Sequence, residues 1–363
     1  MVQYHHALPN KTSAKSYYVR KSTNSPPDNR GDCLNLIRLL AAIQVLYGHT
    51  MVHLQIESFP IIGNIINFFS GVPIFFTMSG FLIWWSIGRS SNFTEYLKKR
   101  FWRIFPELWV AVAIELIVLL CLYNKPIEWS QFIAFAITQS TVLQFWTPDC
   151  LREYGCGCPN GALWTICVLI QFYFVAYFLY KIMHNRKTVI WIITFVISLG
   201  VSLLTPFIQS MLPKIVAKLY GQTLIPFLWM FLFASFVAEK KDFLIPIMKK
   251  YWWIFLVAVI LVRYFQFDFN ASYNFLGTIL LFFCLTGFSY MFPMLNIKTD
   301  ISYGVYIYHM TVVNALIALG YMQKPILLII VVIVTCLLSY ITTKTIGAFS
   351  KRMKAKLISH SNN

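Results

Sequence analysis

Charge is what this chain has least of. Only 12% of its 363 residues are Asp, Glu, Lys or Arg, about half the share of a soluble domain. Acids are scarcest, 13 against 30 Lys and Arg. A chain 58% hydrophobic, with a mean hydropathy of +0.65, cannot cover a water-facing surface with so few polar groups, which excludes a soluble globular enzyme. No pair of CxxC motifs stands among the eight cysteines, which argues against a structural zinc site, and no metal is expected. Cys121, Cys167, Cys284 and Cys336 lie in apolar runs, where a thiol acts as a small hydrophobe. Cys150, Cys156 and Cys158 cluster in one polar loop and leave room for one disulfide in an oxidising exterior. No apolar stretch precedes the first long run, so a cleaved signal peptide is not expected. No internal repeat is visible, which weighs against an inverted-repeat transporter.

What is present is a series of apolar runs about 20 residues long, the length of a membrane span. They predict an all-α, polytopic membrane helical bundle of about ten transmembrane helices. The predicted spans are Leu34 to Leu54, Ile65 to Ile87, Phe105 to Tyr123, Leu163 to Met183, Val189 to Phe207, Leu224 to Ala238, Tyr251 to Phe265, Tyr273 to Phe292, Ile301 to Gly320 and Ile326 to Ile346. Phe132 to Phe145 is too short and too interrupted for a span and reads as a re-entrant or interfacial helix. Three segments follow: a flexible cytoplasmic N-terminal tail over 1–32, a membrane domain over 33–348, and a basic cytoplasmic C-terminal tail over 349–363.

The formal net charge of +17 would suggest nucleic acid in a soluble protein. Here the cations sit between apolar runs, which is the positive-inside pattern. Lys98, Lys99, Arg100 and Arg103, then Lys181, Arg186 and Lys187, then Lys240, Lys241, Lys249 and Lys250, and finally Lys344 to Lys356 fall on one side. The other side holds only scattered Lys125, Arg152, Lys214, Lys218 and Lys324. This asymmetry predicts a plasma-membrane protein with both termini cytoplasmic and the lipid bilayer, not nucleic acid, as its surroundings.

The first span carries Arg38 and His49. Eleven residues at 100° each place them within about 20° of one helix face, roughly 16 Å apart along the axis. An ionisable group inside a membrane is costly unless it faces a cavity or a partner. Arg38 also fits a snorkelling anchor, and His49 a hydrogen-bonded packing histidine. A histidine is suited to taking and returning a hydroxyl proton near neutrality, and Gly48 beside it allows a close approach to the backbone. Arg100 and Arg103 share a helix face and can hold phosphates bidentately; Lys98 and Lys99 fit interface anchoring better. Ser79 and Gly80 fit close helix packing. Tyr303, Tyr306 and His309 place a second histidine in a span, either lining the cavity of His49 or held structurally by its tyrosines. Asn160-Gly161 marks a turn back into the membrane, with Trp164 at the interface belt.

Taken in order, Arg38-x10-His49, Ser79-Gly-Phe-Leu, Arg100-x-x-Arg103-Ile-x-Pro, Asn160-Gly-x-Leu-Trp-Thr and Ser302-Tyr-x-x-Tyr-x-x-His309 resemble the acyltransferase family 3 membrane proteins, bacterial O-acyltransferases of surface polysaccharides. The resemblance spans the whole membrane domain. It implies an acyl-coenzyme A donor, acetyl-CoA by default, taken from the cytoplasm, and an envelope polysaccharide or glycolipid acceptor on the outer side. It implies His49 and Arg38 as catalytic residues, Arg100 and Arg103 as donor-binding, and Ser79, Trp164, Tyr303 and His309 as substrate-binding. His49 would act as general base or carry the acyl group itself. Two departures stand out. Asn35 replaces a frequent acid, and Val168 is followed by Leu169 and Ile170 where the family usually has a Glu. The family's frequent C-terminal esterase-like extension is not seen. The competing expectation is a small-solute membrane transporter, supported by the span count and by the intramembrane Arg and His, with the missing repeat and the scarcity of intramembrane acids, Glu115 the clearest of them, against it.

Overall fold

Apolar segments of membrane length have no water to bond their peptide groups, so they close those bonds internally as helices. The computed structural model describes residues 31–57 and 60–360. Most of the expected N-terminal tail, up to residue 30, lies outside the described residues, as do residues 361–363.

The described residues form fifteen α-helices in the order α1 (Leu34–His53), α2 (Pro60–Phe68), α3 (Gly71–Gly88), α4 (Phe93–Leu122), α5 (Trp129–Gln139), α6 (Trp164–Met183), α7 (Thr188–Leu203), α8 (Thr205–Met211), α9 (Lys214–Tyr220), α10 (Leu228–Glu239), α11 (Lys241–Tyr264), α12 (Phe275–Met291), α13 (Ser302–Ala318), α14 (Ile326–Thr342) and α15 (Ala348–His360). The only strands among them are an antiparallel pair of two residues each, β1 (Asn270–Ala271) and β2 (Tyr273–Asn274). A helix stands at each of the ten predicted positions. Among the described residues, five helices are long and apolar enough to cross a membrane, and up to seven if each bent pair is one span.

The remainder have a physical reason to be shorter or more polar. α13 has twelve buried residues along its length and packs closely against α1 and α14. A helix surrounded by protein need not be apolar all round. The outer helices are the reverse: Ile192, Ile193, Val196 and Ile197 on α7 and Ile329, Ile333, Leu337 and Ile341 on α14 are exposed apolar side chains, a face suited to lipid. Close packing relies on small residues. A Cβ on Gly80 of α3 would lie 2.6 Å from the Phe231 carbonyl of α10.

Two differences from the sequence reading and one agreement with it bear on the site. α4 starts at Phe93 instead of Phe105. Its added turns are amphipathic and are started by Asn92, whose side chain accepts the Glu95 amide at 2.9 Å, as an N-cap does. α5 is short and keeps Trp129, Ile133 and Ile137 exposed while Phe132 and Phe135 are buried, as an interfacial helix should. The segment expected as a basic tail is helical: α14 continues through a π turn at Thr343–Gly347 into α15, which packs on α4 with Phe349 edge-on to Trp102 at 5.7 Å.

Candidate active site

α1 and α13 lie side by side and are joined by polar pairs at two levels. At the basic end, Arg38 Nη1 is 2.6 Å from Asp300 Oδ2, and Arg103 Nη2 of α4 is 2.9 Å from the same oxygen. The other oxygen, Oδ1, accepts the amide of Ser302 at 3.1 Å and its hydroxyl at 2.5 Å. Asp300 therefore caps α13 and ties three helices together. Burial alone raises its carboxyl, but Arg38 and Arg103 outweigh burial and hold it well below the usual carboxylate range.

At the other level, His49 Nδ1 is 2.9 Å from His309 Nε2, and His309 Nδ1 is 3.2 Å from the Val305 carbonyl. A carbonyl only accepts, so in the neutral pair His309 carries its hydrogen on Nδ1 and accepts on Nε2. His49 must then donate from Nδ1. Its lone pair is left on Nε2, the nitrogen that faces away from the pair. His309 is fully buried and His49 half-buried. A Cβ added to Gly48 would meet nothing within 4 Å, so the surface of α1 at that glycine is open.

Between the two levels lies a cavity lined by Arg38, Ser79, Arg103, Leu169, Tyr303 and Tyr306, among others. Its volume of about 80 Å³ suits several waters, not a nucleotide. Tyr306 closes it on the His309 side: the rings are 6.0 Å apart, and the Tyr306 hydroxyl meets Thr165 Oγ1 at 2.7 Å and donates to the Ala162 carbonyl at 3.1 Å. The cavity thus reaches Arg38 but stops short of His49. A wider groove of about 390 Å³ runs between α4 and α6 past Lys98, Arg100 and Ile170 and shares Ile104 and Tyr173 with the cavity.

The loop between α5 and α6 is pinned over α13. Asn160 Nδ2 donates to the Ile307 carbonyl at 2.9 Å, and Asn314 donates to the Cys158 and Pro159 carbonyls. All eight cysteines are free thiols. Burial raises Cys156 and Cys158 above the ordinary thiol range. Among the described residues, no group of three or more His, Cys, Asp or Glu is placed to hold a metal.

Of the residues singled out in the sequence, the structure brings together Arg38, Arg103, Ser79 and Tyr303 around the cavity, and His49 with His309 beyond it. Roughly 16 Å of helix separates Arg38 from His49, so they do not meet at one atom. Arg100 has partners other than those of Arg103: it donates to Ser86 Oγ at 2.6 Å and lies over the Tyr96 and Tyr173 rings. Trp164 is packed among aromatics, 6.3 Å from Phe76 and 5.6 Å from Phe227, and does not line the cavity. Leu169 does line it, so the family's usual carboxylate position is an apolar wall here. Asn35 donates to the Ile297 carbonyl at 3.2 Å. Sequence reasoning missed Asp300. Its signal was an acid two residues before a serine at the start of an apolar run, which is a helix-start pattern.

The comparisons with known proteins agree with the motif order. A family model described as an acyltransferase domain matches residues 32–344. Nodulation protein 10 of Rhizobium leguminosarum bv. viciae is 26% identical over 320 residues, covering 79% of this chain and 84% of that protein. No solved structure matches the chain.

Proposed function

We propose, from the premise that this chain belongs to acyltransferase family 3 and is a membrane O-acyltransferase, that its donor is a cytoplasmic coenzyme A thioester and its acceptor a hydroxyl of an envelope polysaccharide or glycolipid. Acetyl is the default acyl group. In this reading the Arg38 level lies at the cytoplasmic face of a bacterial inner membrane, with both termini inside and His49 in the outer half, and the positive-inside asymmetry supports it.

The observation that carries this reading is the chain from the Val305 carbonyl through His309 to His49. It leaves a basic nitrogen, His49 Nε2, outside the pair, one residue from Gly48, where the helix surface is open. In the transfer, the acceptor hydroxyl oxygen bonds to the thioester carbonyl carbon while its proton moves to His49 Nε2. The carbon–sulfur bond breaks, and the sulfur leaves with that proton as the coenzyme A thiol. Arg38 and Arg103 guide the donor's polar arm at the cavity mouth instead of polarising the carbonyl, because Arg38 lies too far from His49. Ser79, Tyr303 and Leu169 line the passage, and Tyr306 has to yield for the thioester to reach the histidines. Trp164 supports this wall through its packing.

The test is His49→Ala. Membranes containing the variant, incubated with labelled acetyl-coenzyme A, are expected to leave envelope glycans unlabelled although the protein accumulates normally. Labelling at the wild-type level would remove His49 from the mechanism. A small-solute transporter would leave no labelled glycan even in the wild type.

A further inference from the structure

Four cations gather where α15 packs on α4, namely Arg100, Arg103, Lys351 and Lys354, and Asp300 links Arg38 to them through Arg103. Asp300 is shared by Arg38 and Arg103, and Glu107 lies close enough to act on Arg103. Arg100 bonds only neutral Ser86 among the described side chains, and its buried Nε has no partner. Lys354 of α15 is half-buried and close enough to Arg103, Arg100 and Lys351 to be repelled by all three. No ion pair joins Lys354 to an acid among the described residues.

This crowding is built into the fold. α15 continues from α14 through the π turn and is held on α4 by Phe349 against Trp102, so Lys354 does not reach the arginines by chance movement of a loose end. Insertions of one residue into a helix often mark functional places. Like charges brought together in a half-buried place oppose folding unless an anion settles among them. The cavity is too small for a nucleotide, so a nucleotide thioester reaching into it leaves its phosphates outside, on the side where Arg100 lines the wider groove.

We infer that Lys354 completes a phosphate-binding site with Arg100 and Arg103, and that the site takes the phosphate-bearing nucleotide end of the acyl donor. The inference rests on the coenzyme A reading above and adds the C-terminal helix α15 to the donor site. Anionic lipid headgroups offer the same phosphate chemistry, and the test separates the two sources.

The full chain in nanodiscs of zwitterionic lipid is titrated with coenzyme A and, separately, with pantetheine, which lacks the nucleotide. Lys354→Gln is expected to weaken coenzyme A binding roughly 10- to 100-fold, the range of one lost charge-assisted hydrogen bond. Lys354→Arg should stay within a few-fold of wild type, and pantetheine binding should not change. Without ligand, Lys354→Gln is expected to melt at or above the wild-type temperature, because a repulsion has been removed. Wild-type coenzyme A affinity in Lys354→Gln overturns the site while leaving the donor reading intact. So does a variant that loses only the stabilisation given by added phosphatidylglycerol, or one that melts early without ligand. Failure of the wild type itself to bind coenzyme A sinks both the site and the reading it rests on.

Discussion

His309 does nothing in the proposed reaction except through His49, and that makes its replacement quantitative. His309→Ala removes the acceptor 2.9 Å from His49 Nδ1. The hydrogen bond that selects the productive tautomer is worth about 0.5–1.5 kcal/mol net, so its loss lowers the productive population by up to about tenfold. The imidazole of His49 also becomes free to turn, and a misplaced reacting group costs up to about another tenfold here, within the range seen for misplacements of an ångström. The expected fall in kcat is therefore about 10- to 100-fold, with a small change in KM for the donor. Loss of the base itself in His49→Ala costs about 10²–10⁴-fold. The double variant should be no worse than His49→Ala alone, because residues that act as one unit are not additive. His309→Gln, whose amide oxygen can accept from Nδ1, should recover much of the loss. The assay is transfer of label from acetyl-coenzyme A to glycan in isolated membranes, normalised to the amount of inserted protein. A His309→Ala enzyme within twofold of wild type would refute the tautomer argument, as would a double variant whose losses multiply.

Asp300→Asn leaves two partly buried guanidiniums facing one another without a counter-charge, and is expected to cost about 3 kcal/mol, the low end for breaking a buried pair because Arg103 is about one-third exposed. The Asp300 carboxyl is held below its unfolded value of about 3.9, so its contribution is fully present above about pH 4 and is lost as the pH falls through the depressed folded value. The difference in melting temperature between wild type and Asp300→Asn should hold steady from pH 7 to pH 5 and shrink only in strong acid; a difference that closes by pH 5 would contradict the ion-pair account. Gly80→Ala drives a methyl to 2.6 Å from the Phe231 carbonyl and should cost about 1–3 kcal/mol by overpacking, visible as early melting. Gly48→Ala meets nothing within 4 Å and should melt like wild type, yet raise KM for the acceptor if the acceptor approaches beside His49; equal melting of the two glycine variants would show that the α3–α10 contact is not tight.

Much of the fold was legible because the bilayer leaves so few solutions. Apolar length alone located ten helices. What the apolar runs could not mark is where a helix leaves the apolar layer. Residues 93–104 of α4 and 348–360 of α15 are helical but rich in Lys and Arg, so a search for hydrophobic runs stops short of both. The break between α2 and α3 likewise falls at Phe69 and Ser70, in chain that reads as nearly continuous. In the site, the shared face of Arg38 and His49 was a local property and readable from spacing. Their partners were not. Asp300 and His309 lie 262 and 260 residues away in sequence, and only the packing of α1 on α13 brings them in. Arg100 and Arg103 share a helix face by spacing, yet one guanidinium takes Ser86 on α3 and the other Asp300 before α13. Spacing fixes where a side chain starts, and the neighbouring helices decide where it ends.

The two polar pairs also constrain one another. Arg38 to His49 spans eleven residues of α1, about 16 Å of rise, while Asp300 to His309 spans nine residues, about 13 Å if all were helical. Two rods packed side by side cannot satisfy both pairs on rise alone. The difference of about 3 Å falls at the Arg38 end, where the long guanidinium arm meets a carboxylate that precedes the first helical residue, Ser302. The histidine end has no such slack, since two short rings meet at 2.9 Å with centroids 5.1 Å apart. A slip of α1 along α13 by one residue, 1.5 Å, is therefore within reach of the Arg38–Asp300 pair and beyond that of His49–His309. The histidine pair sets the register of the two helices, and the arginine end takes up the slack.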